Sequence, residues 1–145
     1  LPSEKYAYIA NNLIEENYNV LLIGSKNDKT VNHEINEHTK YRCFDITGKT
    51  SLGECIDVIA CAQYFLSNDS GLMHITAALN IPQDSFFGSS DPNNTPPLNS
   101  KAIINYLNLD CSPCFERRCP LKHFDCMNKI DEKVIFKRII CLLNK

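Results

Sequence analysis

Residues 64–88 read YFLSNDSGLMHITAALNIPQDSFFG. Tyr64-Phe65-Leu66-Ser67 is a short strand, Asn68-Asp69-Ser70-Gly71 is a turn, and 72–79 is an apolar helical stretch. Asp84-Ser85-Phe86-Phe87 is a further strand that ends at Gly88. A strand, a helix and a strand this close together form a parallel crossover. The fold class that follows is α/β, an open parallel sheet with helices on both faces.

The same alternation extends upstream. Ser51-Leu52-Gly53-Glu54 has the spacing of a capping box, and Leu52, Cys55, Ile56, Ile59 and Ala60 form the apolar stripe of a helix running to about residue 62. Tyr41-Arg42-Cys43-Phe44-Asp45-Ile46 alternates as a strand, and a polar helix is expected over about 29–38. Val20-Leu21-Leu22-Ile23 is apolar on both faces, the signature of a buried parallel strand. Ahead of it, Ser3 caps a helix with Tyr6, Ile9, Ala10, Leu13 and Ile14 on one face. Downstream, 88–97 is a turn-rich loop, 102–107 a strand, and a Cys-rich loop follows. The last helix, about 132–143, is expected to bury Val134, Ile135, Ile139 and Leu142. No internal repeat is visible, and one domain is expected over 1–145.

The chain has 145 residues, 43% hydrophobic and 22% charged, which suits one globular core and argues against wholesale disorder. Its net charge of −2 gives no blanket attraction to nucleic acid, and no nucleic-acid partner is expected. The charge is uneven, with 7 basic and 13 acidic side chains over 1–110 against 8 and 4 over 111–145. No stretch approaches the roughly 20 apolar residues of a membrane span. Leu1-Pro2-Ser3-Glu4-Lys5 shows no basic leader or cleavage site and opens directly on a helical pattern, as a piece of something longer would. The eight Cys read as mostly reduced, in the cytoplasm.

Ligands of open parallel sheets bind at the carboxyl ends of strands. Three loops leave such ends, 24–28, 68–71 and 88–97, and all are rich in Ser, Asn, Asp and Gly. Ser70, Gly71 and Leu72 would present free amides at a helix start, an anion site that Gly71 leaves open to a diphosphate. The alternative is an ordinary N-cap, with Asp69 or Ser70 closing the helix and nothing bound. His74, in the first turn, is either a structural residue or a hydrogen-bond donor to a phosphate. Asp28 is either solvated or a grip on ribose hydroxyls. The chain has no nucleophile elbow, P-loop or dinucleotide GxGxxG.

The series Asn68-Asp69-Ser70-Gly71-Leu72-Met73-His74-Ile75-Thr76-Ala77-Ala78-Leu79, Pro82, Phe87-Gly88-Ser89-Ser90-Asp91-Pro92 and Thr95-Pro96-Pro97-Leu98 resembles the ADP-heptose:lipopolysaccharide heptosyltransferases. Cys111-x-x-Cys114-Phe115, Arg118-Cys119-Pro120 and His123-x-x-Cys126 are similar to the heptosyltransferase II branch, and Gly24-Ser25 and Ser51-Leu52 fit the same pattern. The resemblance implies the C-terminal, donor-binding half of a GT-B glycosyltransferase with Rossmann-like domains. It implies heptose transfer from ADP-heptose to the inner core of a lipid A acceptor, with inversion, on the cytoplasmic side, at the inner face of the inner membrane. Asp69, Ser70, Gly71, Leu72 and His74 would then hold the diphosphate and sugar, Asp28 the ribose, and Thr50 would neighbour the adenine. No catalytic residue is expected in this chain, because the family's base lies in an N-terminal acceptor domain that is absent here. No cofactor is required. A GT-B domain for another nucleotide sugar, or a non-catalytic nucleotide- or zinc-binding module, are the alternatives.

Asp84 and Ser85 depart from the small apolar residues that the family prefers in this strand, and a buried carboxylate there is costly unless paired or at an edge. Cys111, Cys114, Cys119 and Cys126 are spaced x2, x4 and x6. Four thiolates could hold Zn²⁺, with His123 able to replace one sulfur, although the x6 pair fits paired knuckles poorly. Reduced core thiols or a disulfide are the other readings, and the expectation is no resident metal. Cys43, Cys55, Cys61 and Cys141 are expected in the core. Arg117, Arg118, Lys122 and Lys129 read as a solvated basic face, or one toward an anionic acceptor or membrane surface.

Overall fold

The computed structural model describes residues 1–144. The chain forms two compact units, one from Val58–Ile130 with Leu1, the other from Pro2–Asp57 with the segment beginning at Asp131. All five expected strands are present, and every pairing among them is parallel.

In the unit that holds the N-terminal segment, α1 (Ser3–Glu15), β1 (Leu21–Leu22), α2 (Lys29–His38), β2 (Phe44–Asp45) and α6 (Glu132–Leu143) carry the regular structure. β1 and β2 pair with Leu21 opposite Phe44. The ladder continues beyond these two-residue strands, because Phe44 N–H donates to Val20 O at 2.9 Å and Gly48 N–H to Gly24 O at 2.8 Å. α1 packs on both α2 and α6, burying Ala7, Ile9 and Ala10 with Ile35, Ile135 and Ile139. Four sequence expectations are corrected in these helices and in α3 (Leu52–Ala60). Ser3 is not a cap: α1 starts there, behind Pro2, with no side-chain bond closing its end. Val134 and Leu142 are 52% and 39% exposed, one at the edge of the stripe and the other in the last turn. Cys141 is exposed, two residues past buried Ile139 and so on the opposite side of the helix, and Cys61 is exposed just past the end of α3. Leu52 is 64% exposed and Ala60 is exposed as well, because the buried stripe of α3 runs only from Cys55 to Ile59. The capping box holds: Glu54 N–H donates to Ser51 Oγ at 3.3 Å, and Ser51 N–H to Glu54 Oε2 at 2.7 Å.

The other unit is built on β3 (Phe65–Asn68), β4 (Gln83–Phe86) and β5 (Ala102–Asn105), in the order β3-β4-β5. The crossover helix α4 (Gly71–Ala78) buries Met73, Thr76 and Ala77. β4 is central and every residue in it is buried, although its sequence, Gln83-Asp84-Ser85-Phe86, is mostly polar. A buried polar group is tolerated only with partners, and each is supplied. Gln83 Nε2 donates to Met73 O at 3.2 Å, Ser85 Oγ to Gln83 Oε1 at 3.3 Å, and Asp84 accepts from Tyr64 Oη and Asn105 Nδ2, both at 2.7 Å. The carboxylate that the sequence marks as costly is therefore paired at both oxygens. Phe86 and Phe87, both fully buried, anchor the strand's exit.

Beyond Gly88 the chain runs through turns to Asn128, interrupted by β5 and by a short helix, α5 (Asp125–Asn128), inside what the sequence suggests is loop. No residue from 98 to 129 is buried.

Candidate functional site

β3 ends at Asn68, and the chain reaches α4 through Asp69 and Ser70. Asp69 N–H donates to Phe86 O at 3.1 Å, so the turn is tied to the exit of the central strand. Ser70 has the extended backbone of an N-cap, φ −159° and ψ 167°, yet its side chain accepts nothing from the helix amides. Its hydroxyl is engaged elsewhere: Ser67 Oγ donates to Asn68 O at 2.7 Å and contacts Ser70 Oγ at 2.9 Å. Ser67 has one proton and spends it on Asn68, so Ser70 is the donor in this pair. The orphan amides of the first turn are thus left without a side-chain cap, the state that suits an anion. This disfavours the ordinary cap as a reading of Ser70.

Gly71 opens the helix, and a Cβ built there would meet nothing within 4 Å. Packing does not demand the glycine, and it leaves the approach to the amides clear. His74 is exposed and Leu72 half-buried on the same helix, while Met73 is buried and holds the helix to the sheet. Asp69, Ser70, Gly71, Leu72 and His74 therefore lie on one turn and the helix that it starts.

Asp28 and Thr50 belong to the other unit. Asp28 Oδ2 accepts from Ser25 N and Ser25 Oγ, both at 2.7 Å, closing a capping box around the 3₁₀ turn Lys26–Asp28. Its carboxylate has a local structural job, one the Ser25-x-x-Asp28 spacing could have signalled. The same carboxylate makes Gly24 necessary, since a Cβ there would come within 2.9 Å of it. Thr50 Oγ1 contacts Cys55 Sγ at 3.0 Å. Ser67, which decides the orientation of Ser70, carried no distinguishing mark in the sequence.

A cavity of about 120 Å³ lies beside the exit of β4, lined by Gly88, Ser89, Cys111, Cys114, Cys119 and Cys126 among others. Phe115 N–H donates to Ser89 O at 2.7 Å, and Ser112 Oγ donates to Gly88 O. A Cβ on Gly88 would fall 2.9 Å from Cys126 Sγ and 2.8 Å from Met127 Cε, so this glycine permits the close approach of α5. The main-chain amides of Phe124, Leu121, His123 and Lys122 hold the Cys119 thiol below its usual value, Phe124 contributing most. Burial pushes the Cys126 thiol up, and the neighbouring Cys119, Cys111 and Cys114 push the same way. All eight cysteines are free, and among the described residues no three His, Cys, Asp or Glu side chains already stand as a metal-holding group. Lys129 of the basic segment pairs with Asp125 at 2.6 Å.

Residues 1–125 match glycosyltransferase family 9 (heptosyltransferase). Lipooligosaccharide heptosyltransferase 2 of Haemophilus influenzae is 43% identical over 107 residues, 71% of this chain and 31% of that protein. Lipooligosaccharide heptosyltransferase 2 of Campylobacter jejuni (serotype O:2) is 32% identical over 136 residues, 90% of this chain and 42% of that protein. The solved structure of Escherichia coli ADP-heptose lps heptosyltransferase II superposes with a TM-score of 0.81 at 32% identity, over 98% of this chain and 41% of that one. The chain thus spans about a third to two fifths of the length of these relatives.

Proposed function

The chain belongs to glycosyltransferase family 9, and from that premise we propose that it is the donor-binding half of a heptosyltransferase that moves heptose from ADP-heptose to the inner core of lipopolysaccharide. The observation that carries this reading is the uncapped start of α4, open at Gly71 and set at the carboxyl end of a parallel strand. The relatives' names support the sugar, and the name of the Escherichia coli structure supports ADP as the carrier.

In such a transfer the acceptor hydroxyl attacks the anomeric carbon, the bond to the β-phosphate oxygen breaks, and negative charge grows on the departing ADP. Amides fixed at a helix start stabilise that charge without reorganising, a term that often dominates catalysis. The backbone N–H groups of Gly71 and Leu72 are the donors, and Ser70 and Asp69 shape the turn. His74, exposed one helical turn along, donates to the phosphate or the sugar. The base that removes the acceptor's proton lies outside this chain, in an N-terminal acceptor domain, and a single displacement from the face opposite the diphosphate inverts the anomeric centre. The setting is the cytoplasmic side, at the inner face of the inner membrane, where a lipid A acceptor is presented. Among the described residues no helix is long and apolar enough to cross a membrane.

Isothermal titration tests the site. ADP is expected to bind more tightly than UDP or GDP. Gly71→Val is expected to weaken ADP at least about tenfold, roughly 1.4 kcal/mol, with an unchanged melting temperature, since its side chain meets open space. Equal affinity for the three nucleotides, or unaltered ADP binding by the variant, would remove the assignment.

A further inference from the structure

The segment between β5 and Ile130 poses a physical problem that the donor site does not answer. It contributes no buried residue to either core from 98 to 129, and Phe115, Leu121 and Phe124 are 67%, 59% and 48% exposed. Ordering such a stretch costs about 1–2 kcal/mol per residue in backbone entropy, and a long loop without its own core needs a staple. Its four cysteines turn to one cavity, beside Leu121, Phe124 and Met127. Cys111, Cys114, Cys119 and Cys126 are each half-buried and line one cavity with the backbone of Gly88 and Ser89. The core-thiol reading of these four does not hold, because none of them is buried and the apolar Leu121 and Phe124 beside them are themselves exposed.

We propose that Cys111, Cys114, Cys119 and Cys126 form a four-thiolate site for one soft divalent cation of the Zn²⁺ class, which staples the 111–126 loop onto the exit of β4. Three features of the geometry support it. The four residues face one space from four different points of an irregular loop, the arrangement tetrahedral coordination requires. The missing Cβ of Gly88 leaves room for the Cys126 sulfur against the exit of β4, which sets one ligand on the sheet. His123 is set aside as a ligand, because its Nδ1 accepts from Asp125 N–H at 2.9 Å and the neutral ring then carries its proton on Nε2.

The cavity, about 120 Å³, is wider than one ion needs, and no three ligands among the described residues yet converge on a point. Binding therefore draws the sulfurs inward and releases the thiol protons to solvent, coupling loop order to metal. Gly88 is the pivot: its missing Cβ lets Cys126 sit against the strand exit, whose Phe86 carbonyl holds Asp69. The site is structural, with all four positions taken by protein and none open for substrate.

The test uses the protein purified under reducing conditions from zinc-replete cells, and nucleotide affinity plays no part in it. Elemental analysis is expected to find about one zinc per chain, lost in Cys111→Ser/Cys119→Ser. Should that variant fail to fold, the unaltered protein decides: Co²⁺ exchange should give intense d–d bands of a tetrahedral ion and a thiolate-to-cobalt charge-transfer band. A chelator should release the zinc and make four further thiols reactive to a disulfide reagent. Zinc below a tenth of an equivalent with no cobalt bands overturns the proposal, as does an intact mass two or four hydrogens short, which would mean disulfides.

Discussion

Asp84 sits at the centre of a parallel sheet with no exposed surface, a position usually given to Val or Ile. It is held there by two donors from the flanks, Tyr64 Oη and Asn105 Nδ2, one on each carboxylate oxygen. Removing the acceptor takes from Tyr64 Oη and Asn105 Nδ2 their bonds to the carboxylate and leaves a cavity in the buried strand. Asp84→Ala is expected to lower unfolding stability by about 2–4 kcal/mol, read as a shift in the urea midpoint at unchanged slope. A loss under about 0.5 kcal/mol would mean that this network contributes nothing. The sequence shows Asp84 as a breach of the strand's pattern. It does not show the remedy, because Tyr64 and Asn105 become neighbours of Asp84 only when three strands fall into register.

The elements differ in how openly they announce themselves. α3 is read from its capping box and stripe, and α4 from its apolar run, since both signals are local. β1 and β2 are shorter than their apolar runs suggest, although backbone hydrogen bonds extend the pairing on both sides. α5 is not legible in the sequence, because four residues carry no periodicity. α1 and α6 meet through the half-buried pair of Lys5 and Glu132, 2.5 Å apart. The hydrogen bond from Lys5, followed by the carboxyl's own backbone bond, holds the Glu132 pKa below the ordinary carboxylate value. A depressed folded-state pKa adds stability above the unfolded value of about 4.3, and that increment disappears as pH falls through the folded value. Lys5→Met is expected to cost about 0.5–1 kcal/mol at neutral pH and nothing once Glu132 is protonated. Urea unfolding followed from pH 7 down through the carboxylate range measures both, and a loss that does not change with pH would show that packing, not charge, joins the helices.

At the scale of the molecule, the chain spans about a third to two fifths of the relatives it matches, and two compact units share that span. The proposed division of labour gives it the leaving group and not the base. Incubated with ADP-heptose and a heptose-bearing acceptor, this chain is expected to bind the donor and release no ADP above the buffer rate. Turnover by the 145 residues alone would place a base within them and reverse the assignment of roles.

Apart from α5, local pattern was enough for the order of strands and helices, their parallel sense and the Asn68–His74 turn, because helical period, apolar runs and capping spacings are written between near neighbours in the chain. Distant contacts settled the rest. They paired the carboxylate of Asp84 with Tyr64 and Asn105, and turned four cysteines toward one space beside Gly88. Each of these depends on which polar groups meet after burial has removed water as their partner. No spacing along the chain encodes that.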